Sequence, residues 1–404
     1  MKLNIPIAAI SRPSGIAMLA AMMSFCAWIC PDFDVLRKGF TVAEQPGIFA
    51  SFILFSWYLL IFTSFLLGQR LGRVFSPQRR HAANIPPLDS LNIYRLFTLL
   101  GAIGTGYTFV KIFSALPLLQ AAIYIYLGQG NRLKNTLYEG YSAGIPSLRY
   151  LVLYSASLAI NRTVKLRKVT FLNVANIFML GAAVLISSRL MLIATLVVSA
   201  FLLTHGKKRL QLSLVKLAVS AALLFAILSF LNSSRNRNFY ERRNLSFTEA
   251  SISEIVTYLG SPFNVALGTA RAIDVITPGR DDLYRQYVDV EQLLTTNSAF
   301  VELHERFGNL EWPYIAIVCS LMGFAFSWLS SFGKTALLLP GGAILYGAAE
   351  LWRLDLYRQG IFIVWLVIGV GVPALFALFG KRRPVRRPVS VTARTLGNAR
   401  LRES

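Results

Sequence analysis

The chain has 404 residues, of which 55% are hydrophobic and only 15% are charged, and its mean hydropathy is +0.54. Soluble domains carry about 25% charged residues, so this composition excludes an ordinary soluble domain and indicates a membrane protein. The net charge of +22 does not predict a nucleic-acid partner, because Lys and Arg concentrate in short segments between apolar runs. Such segments are typical of cytoplasmic loops.

The first 160 residues of the chain predict four spans and one shorter apolar segment. The first run, 13–30, resembles a signal peptide, but Pro31-Asp32 offers no small-residue cleavage site, so we predict an uncleaved span. Further spans are predicted at 48–68, 91–110 and 142–160. The segment 111–128 is interrupted by Pro117, and an eleventh crossing there would contradict the loop charges. We therefore predict a re-entrant or interfacial segment.

Residues 171–204 form a run of thirty-four mostly apolar residues whose only charge is Arg189. A single helix of that length would measure about 51 Å, too long for a hydrocarbon core of about 30 Å. Basic segments at 161–168 and 205–209 flank the run, so both flanks are expected to be cytoplasmic. The sequence therefore predicts two crossings, 170–187 and 190–204, with Arg189 at the external tip of a hairpin.

The remaining spans are predicted at 211–231, 313–331, 335–350 and 359–379. The fold class that follows is an all-α polytopic membrane protein with about ten or eleven transmembrane helices and both termini in the cytoplasm. Its parts are N-terminal helices in 1–231, a large periplasmic loop over 232–312, C-terminal helices in 313–380 and a basic tail in 381–404. Short amphipathic helices are expected in the loop, where the stretch 251–276 should lie along the membrane surface.

Arginines collect on the external side, where the positive-inside rule predicts few of them. The guanidinium fork binds phosphate oxygens through two hydrogen bonds and keeps its charge, so this surplus favours an anionic headgroup such as a lipid pyrophosphate. The candidate residues are Arg189, Arg132, Arg271, Arg280 and Arg353. The large loop also holds eleven acidic residues, so a solvated face of ion pairs is the alternative for any single loop arginine.

Two residues are candidates for a catalytic base or for orienting an acceptor. His304 shares a predicted helical face with Asn297, Val301 and Gly308, and histidine titrates near neutral pH. The alternative is a hydrogen-bonding surface histidine. Glu350 stands three residues before Arg353 and has structural pairing with it as its alternative. No metal-ligand spacing, phosphate-binding glycine loop or nucleophile elbow is present in the sequence, so neither a metal nor another cofactor is expected.

Three stretches resemble the oligosaccharide repeat-unit polymerases, the Wzy-type O-antigen polymerases. They are ISSRLMLIATLVV (186–198), YLGSPFNVALG (258–268) and TTNSAF…RFGNLEWPYIAIVCSLMGF (295–324). That family has a Ser-Arg at the end of a span, a Tyr-x-x-x-Pro-Phe stretch, and a Thr-Asn approach to Asp-Phe-Gly-x-x-Gly. The likeness covers about residues 130–360. Arg306 stands where the family has Asp, and Glu311 where it has the second Gly.

The resemblance implies a GT-C-like enzyme of the bacterial inner membrane. It would transfer a growing glycan from one undecaprenyl-pyrophosphate carrier to the sugar of another carrier-linked repeat unit. Its partners would be the lipid-linked donor and acceptor, the bilayer and a chain-length-regulating membrane protein. In this scheme Arg189 binds the pyrophosphate, helped by some of the other candidate arginines, and His304 or Glu350 serves the acceptor.

Two other functions compete with the polymerase. An O-antigen ligase has the same architecture and donor but passes the glycan to lipid A core. A flippase for lipid-linked oligosaccharides would also need cationic residues, yet along a central cavity. The predicted spans are almost free of charge, which argues against the flippase.

Overall fold

The computed structural model of the chain describes residues 2–6, 10–29, 43–76, 85–127, 129, 132–133, 144–167, 169–186, 190–207, 209–213, 215, 218–220, 222–231, 246–276, 278–279, 283–288 and 297–379. The predicted tail 381–404 lies outside these residues. So do Arg189 and Arg280.

The described chain is mainly helical. Its labelled helices are α1 (Pro13–Ile29), α2 (Ile48–Val74), α3 (Leu91–Ala115), α4 (Leu118–Tyr126), α5 (Val152–Leu166), α6 (Phe171–Ile186), α7 (Leu190–Thr204), α8 (Phe247–Arg271), α9 (Ala299–Phe307), α10 (Glu311–Ser331), α11 (Leu338–Glu350) and α12 (Gly360–Phe379). A further apolar helix runs over Ala218–Leu231. Short 3-10 turns occur at Ile145–Leu151, Leu283–Gln286, Gly308–Leu310 and Leu356–Arg358.

Four helical segments of the described chain are long and apolar enough to cross a membrane. They are α2, α3, the run of α9 and α10 over Ala299–Ser331, and α12. Shorter apolar helices include α1, α6, α7 and Ala218–Leu231. Each of the ten predicted spans contains a helix. The predicted fold class is therefore confirmed in its coarse form, a mainly helical chain with apolar helices of membrane-spanning length.

A two-stranded ribbon is the exception to the helical architecture in the described residues. β1 (Lys2–Pro6) pairs antiparallel with β2 (Arg209–Ser213), and Asn4 lies opposite Gln211. Both segments alternate polar and apolar residues, the period of a strand, so the first residues of the span predicted from 211 belong to β2.

The break predicted near Pro117 is confirmed. α3 ends at Ala115 and Leu116 is extended, because proline disfavours helical backbone at the residue before it. α4 then begins at Leu118, and Ile112 of α3 and Ala121 of α4 are buried in one small apolar cluster.

The division of the run 171–204 is also confirmed. It consists of two helices, α6 and α7, which contact each other and which both pack against α5. Each is short for a membrane span, as expected when two crossings share thirty-four residues.

α8 covers most of the stretch predicted to lie along the membrane surface, and it packs against other helices. It begins with a capping box, in which Ser246 Oγ accepts a hydrogen bond from the Glu249 backbone N–H and the Glu249 carboxylate accepts one from the Ser246 N–H. It then runs along α1 and α2, where Trp28 Nε1 donates to Asn264 Oδ1 at 2.9 Å. The amphipathic pattern of α8 predicted that its polar face contacts water or lipid headgroups. At Asn264 this face instead forms a hydrogen bond with a buried side chain of α1.

Close helix contacts build the centre of the bundle. α2 and α10 approach at Gly68, Gly72 and Gly323, where an added Cβ would overlap the backbone of the opposite helix. α11 lies among α1, α7, α10 and α12 and is buried along nearly its whole length. The turn that follows α11 is therefore held inside the protein.

Candidate functional site

The turn between α11 and α12, residues 351–359, carries most of the ionisable groups of the candidate site. We call it the recessed turn, because Leu351, Asp355 and Leu356 are each at most 2% exposed. α11 has 13 residues and so measures about 20 Å, less than a hydrocarbon core of about 30 Å. Charged groups at the end of so short a helix need protein partners.

Glu350 and Arg353 are partners of each other. Arg353 donates from Nη2 at 2.7 Å and from Nε at 3.1 Å to Glu350 Oε2, and its guanidinium stacks 4.7 Å from the ring centre of Tyr258 on α8. Burial lowers the pKa of the Arg353 guanidinium, but the Glu350 carboxylate together with Tyr258 and Tyr346 outweighs burial, so the pKa lies above its ordinary value. The geometry is that of the structural pair named as the alternative for these two residues.

A second group of contacts joins the recessed turn to α9 and α10. Arg358 Nη2 donates to Glu302 Oε1, and the Asp355 backbone N–H donates to Glu302 Oε2 at 3.4 Å. The Tyr314 hydroxyl donates to Asp355 Oδ2 at 2.9 Å, and the Tyr357 N–H donates to Asp355 Oδ1. Burial raises the pKa of the Asp355 carboxyl, and the hydrogen bond from Tyr314 opposes that rise.

One arm of Arg358 has no hydrogen-bond partner among the described residues. Its Nη1 atom is buried and makes no hydrogen bond, while Nη2 is held by Glu302. A fixed guanidinium with a free N–H arm is a donor for an anionic oxygen. The sequence pattern selected Arg353 of this turn as a candidate and did not select Arg358. Only the contacts show that Arg353 is committed to Glu350 whereas Arg358 keeps a free arm.

His304 lies in the middle of α9, facing away from the recessed turn. Its Nε2 lies 3.3 Å from the Ile273 carbonyl oxygen and its Nδ1 lies 3.4 Å from Glu311 Oε1, at the first residue of α10. The His304 side chain is 4% exposed and that of Glu311 is 0% exposed. A general base needs a free lone pair near its substrate, and this ring faces an acceptor at each nitrogen. The catalytic role of His304 stays a prediction.

Two of the other candidate arginines, Arg271 and Arg132, contact groups outside the recessed turn. Arg271 ends α8 and pairs with Glu44 at 2.8 Å, and it lies thirteen residues, about 20 Å, along α8 from the Tyr258 that contacts Arg353. Arg132 is exposed and stacks 5.2 Å from the Tyr124 ring centre, beside α4. Arg189 and Arg280 lie outside the described residues, so their predicted roles stay predictions.

An apolar cavity of about 320 Å³ lies between α1, α2 and α8. Met18 and Phe25 of α1, Phe55 of α2, and Phe263 and Leu267 of α8 contribute to its wall. Leu267 stands one helical turn before Arg271, so the Arg271–Glu44 pair lies close to one end of the cavity. This combination of an apolar wall and a nearby half-exposed cation suits a hydrocarbon chain that bears an anionic group.

The sequence and the fold were compared with known proteins. The chain matches no family model, no curated protein and no solved structure.

Proposed function

We propose that this chain is a glycosyltransferase that polymerises oligosaccharide repeat units carried on undecaprenyl pyrophosphate, at the periplasmic face of the bacterial inner membrane. The observation that carries the proposal is the recessed turn, where Arg358 is fixed through Glu302 and presents a buried, unpaired N–H arm. Apolar surroundings strengthen a charge-assisted hydrogen bond, so this arm suits the developing charge of a pyrophosphate leaving group.

The proposed glycosyl transfer requires few other catalytic groups from the protein. A lipid pyrophosphate is already a good leaving group, so cations that take up its charge and a pocket that aligns donor and acceptor supply most of the catalysis. The cavity between α1, α2 and α8 supports a carrier with a hydrocarbon chain. The arrangement of ten spans, the GT-C-like fold, the external hairpin tip at Arg189 and the chain-length-regulating partner belong to the same proposal.

The proposal is tested by changing Arg358 in cells that make the polymer and lack the native copy. We expect Arg358→Ala to leave protein in the membrane and to reduce chain elongation by about a hundredfold, so that surface glycan carries single repeat units. Arg358→Lys keeps a cation beside Glu302 but loses the fork, so it should fold and still elongate poorly. The readout is a ladder gel of surface polysaccharide with immunoblotting of the membrane fraction.

Two further variants serve as comparisons for Arg358→Ala. Arg73 is an exposed arginine in the last turn of α2. Arg73→Ala should therefore leave the ladder unchanged. Arg189→Ala should give single repeats, as Arg358→Ala does. Long-chain polymer of normal length from Arg358→Ala would refute the role of the recessed turn. Loss of all surface glycan with accumulation of lipid-linked polymer would instead establish the ligase.

A further inference from the structure

His304 and Glu311 form a buried pair that the proposed reaction does not use. The imidazole ring lies between the Ile273 carbonyl, just beyond α8, and the Glu311 carboxylate at the start of α10. Phe300 covers one face of the ring at a centroid distance of 6.2 Å and an angle of 17°. Three helical elements therefore meet at one imidazole.

The protonation state of this imidazole follows from its neighbours. A neutral imidazole offers one N–H and one lone pair, whereas the imidazolium offers two N–H groups. Both neighbours, the Ile273 carbonyl and the Glu311 carboxylate, are acceptors, so only the imidazolium serves them both. Glu305, the next residue on α9, adds negative charge nearby, and its Oε1 accepts a hydrogen bond from the Tyr284 N–H at 3.2 Å.

Glu311 depends on this proton as well. Both of its carboxylate oxygens are buried and make no hydrogen bond within the described part of the chain, and Oε1 lies 3.4 Å from His304 Nδ1, an ion-pair distance. An isolated buried carboxylate is strongly destabilising, so the pair is stable only while it holds a proton. The position of Glu311 at the first residue of α10 adds the favourable field of a helix N-terminus.

We infer that His304 and Glu311 are a proton-dependent latch that fastens α9 between the end of α8 and the start of α10. Glu302 stands two residues before His304 on α9 and so points to a different side of that helix, toward the recessed turn. The latch thereby positions Glu302, and through it Arg358. His304 is a positioning residue in this account. Rising pH removes the proton, leaves Glu311 unpaired and releases α9.

The test is a pH series of thermal unfolding on the full-length chain in detergent, between about pH 6 and about pH 9, on the two sides of the histidine titration. The wild-type Tm should fall by at least about 2 °C over this range. That fall should be absent in His304→Gln, in Glu311→Gln and in the double variant alike. His205→Gln, which changes a histidine in edge-to-face contact with Phe201 just after α7, should keep the wild-type fall.

Hydrogen exchange gives a second readout that does not depend on the height of Tm. Amides of residues 299–307 should be less protected at pH 9 than at pH 6 in the wild type, after correction for intrinsic exchange, and poorly protected at both in Glu311→Gln. A wild-type Tm fall retained in Glu311→Gln, or unchanged protection of these amides, would overturn the inference. Neither readout involves glycan synthesis, so the outcome is independent of the proposed polymerase.

Discussion

At the residue scale, the ionisable groups of the candidate site are arranged as pairs. Glu350 holds Arg353, Glu302 holds Arg358, and Glu44 holds Arg271. The sequence predicted ion pairing as an alternative for these arginines, because the external loops contain both acidic and basic residues. The sequence named the local pair of Glu350 with Arg353, but it did not name the pair of Glu302 with Arg358, because those residues are separated by 56 positions. The arginine that keeps a free arm is recognised only after the pairs are known.

The buried carboxyl of Asp355 gives a pH prediction. Its pKa is raised by burial in the folded chain, so the unfolded chain releases this proton at a lower pH than the folded chain does. Stability from this group is therefore greatest below the ordinary carboxyl pKa of about 3.9 and falls as pH rises through the folded value. Asp355→Asn, which keeps an acceptor for the Tyr357 N–H, should remove that fall.

The measurement is Tm between about pH 4 and about pH 7, where carboxyl groups titrate. Asp89→Asn provides the comparison, because the Asp89 side chain is 62% exposed and pairs with Lys165 at 3.4 Å. The Tm of Asp89→Asn should change with pH as the wild-type Tm does. Equal pH slopes in Asp355→Asn and the wild type would show that Asp355 is not the group responsible.

At the element scale, small residues determine how closely helices approach. An added Cβ at Gly104 of α3 would overlap the backbone of Arg149 in the 3-10 turn before α5, whereas one at Gly106 would meet open space. Hydropathy detected α3 as a span but could not distinguish these two glycines. The two glycines differ only in whether another part of the chain packs against them, which the tertiary structure shows.

Gly104→Ala and Gly106→Ala are therefore a matched pair on one helix. Gly104→Ala should lower the free energy of unfolding by about 1–3 kcal/mol or more, the cost of forcing extra atoms into a packed interface. Gly106→Ala should leave stability unchanged or slightly raised, because alanine favours helix. Unfolding in detergent, followed by circular dichroism, measures both. Similar losses in the two variants would contradict the α3 packing described above.

At the scale of the whole molecule, charge divides the two ends of the bundle. One end carries Arg162, Lys165 and Lys334 beside the segment 85–90, where Arg162 donates to the Asp89 carbonyl and Leu88 donates to the Lys334 carbonyl. The other end carries the acids that surround the recessed turn. The positive-inside rule predicts that the basic end is cytoplasmic.

Cysteine labelling tests this orientation. In a chain whose three native cysteines are changed to serine, Leu310→Cys at an exposed position near the recessed turn should react with an impermeant maleimide in intact cells. Lys334→Cys, which is also exposed, should react only after permeabilisation. The reverse pattern would place the recessed turn in the cytoplasm and exclude a periplasmic reaction.

The sequence alone determined the helical class, the approximate helix positions, the break at Pro117 and the division of 171–204. These features follow from hydropathy, length and proline, which act within a few residues of chain. Tertiary structure decided that α8 packs along α1 and that the turn after α11 is buried. It also decided that Arg358, unlike Arg353, keeps a free arm. Those outcomes depend on which residues, distant in sequence, lie together in the interior. A buried charge is stabilised when it has a partner and destabilising when it has none, and the local sequence does not identify that partner.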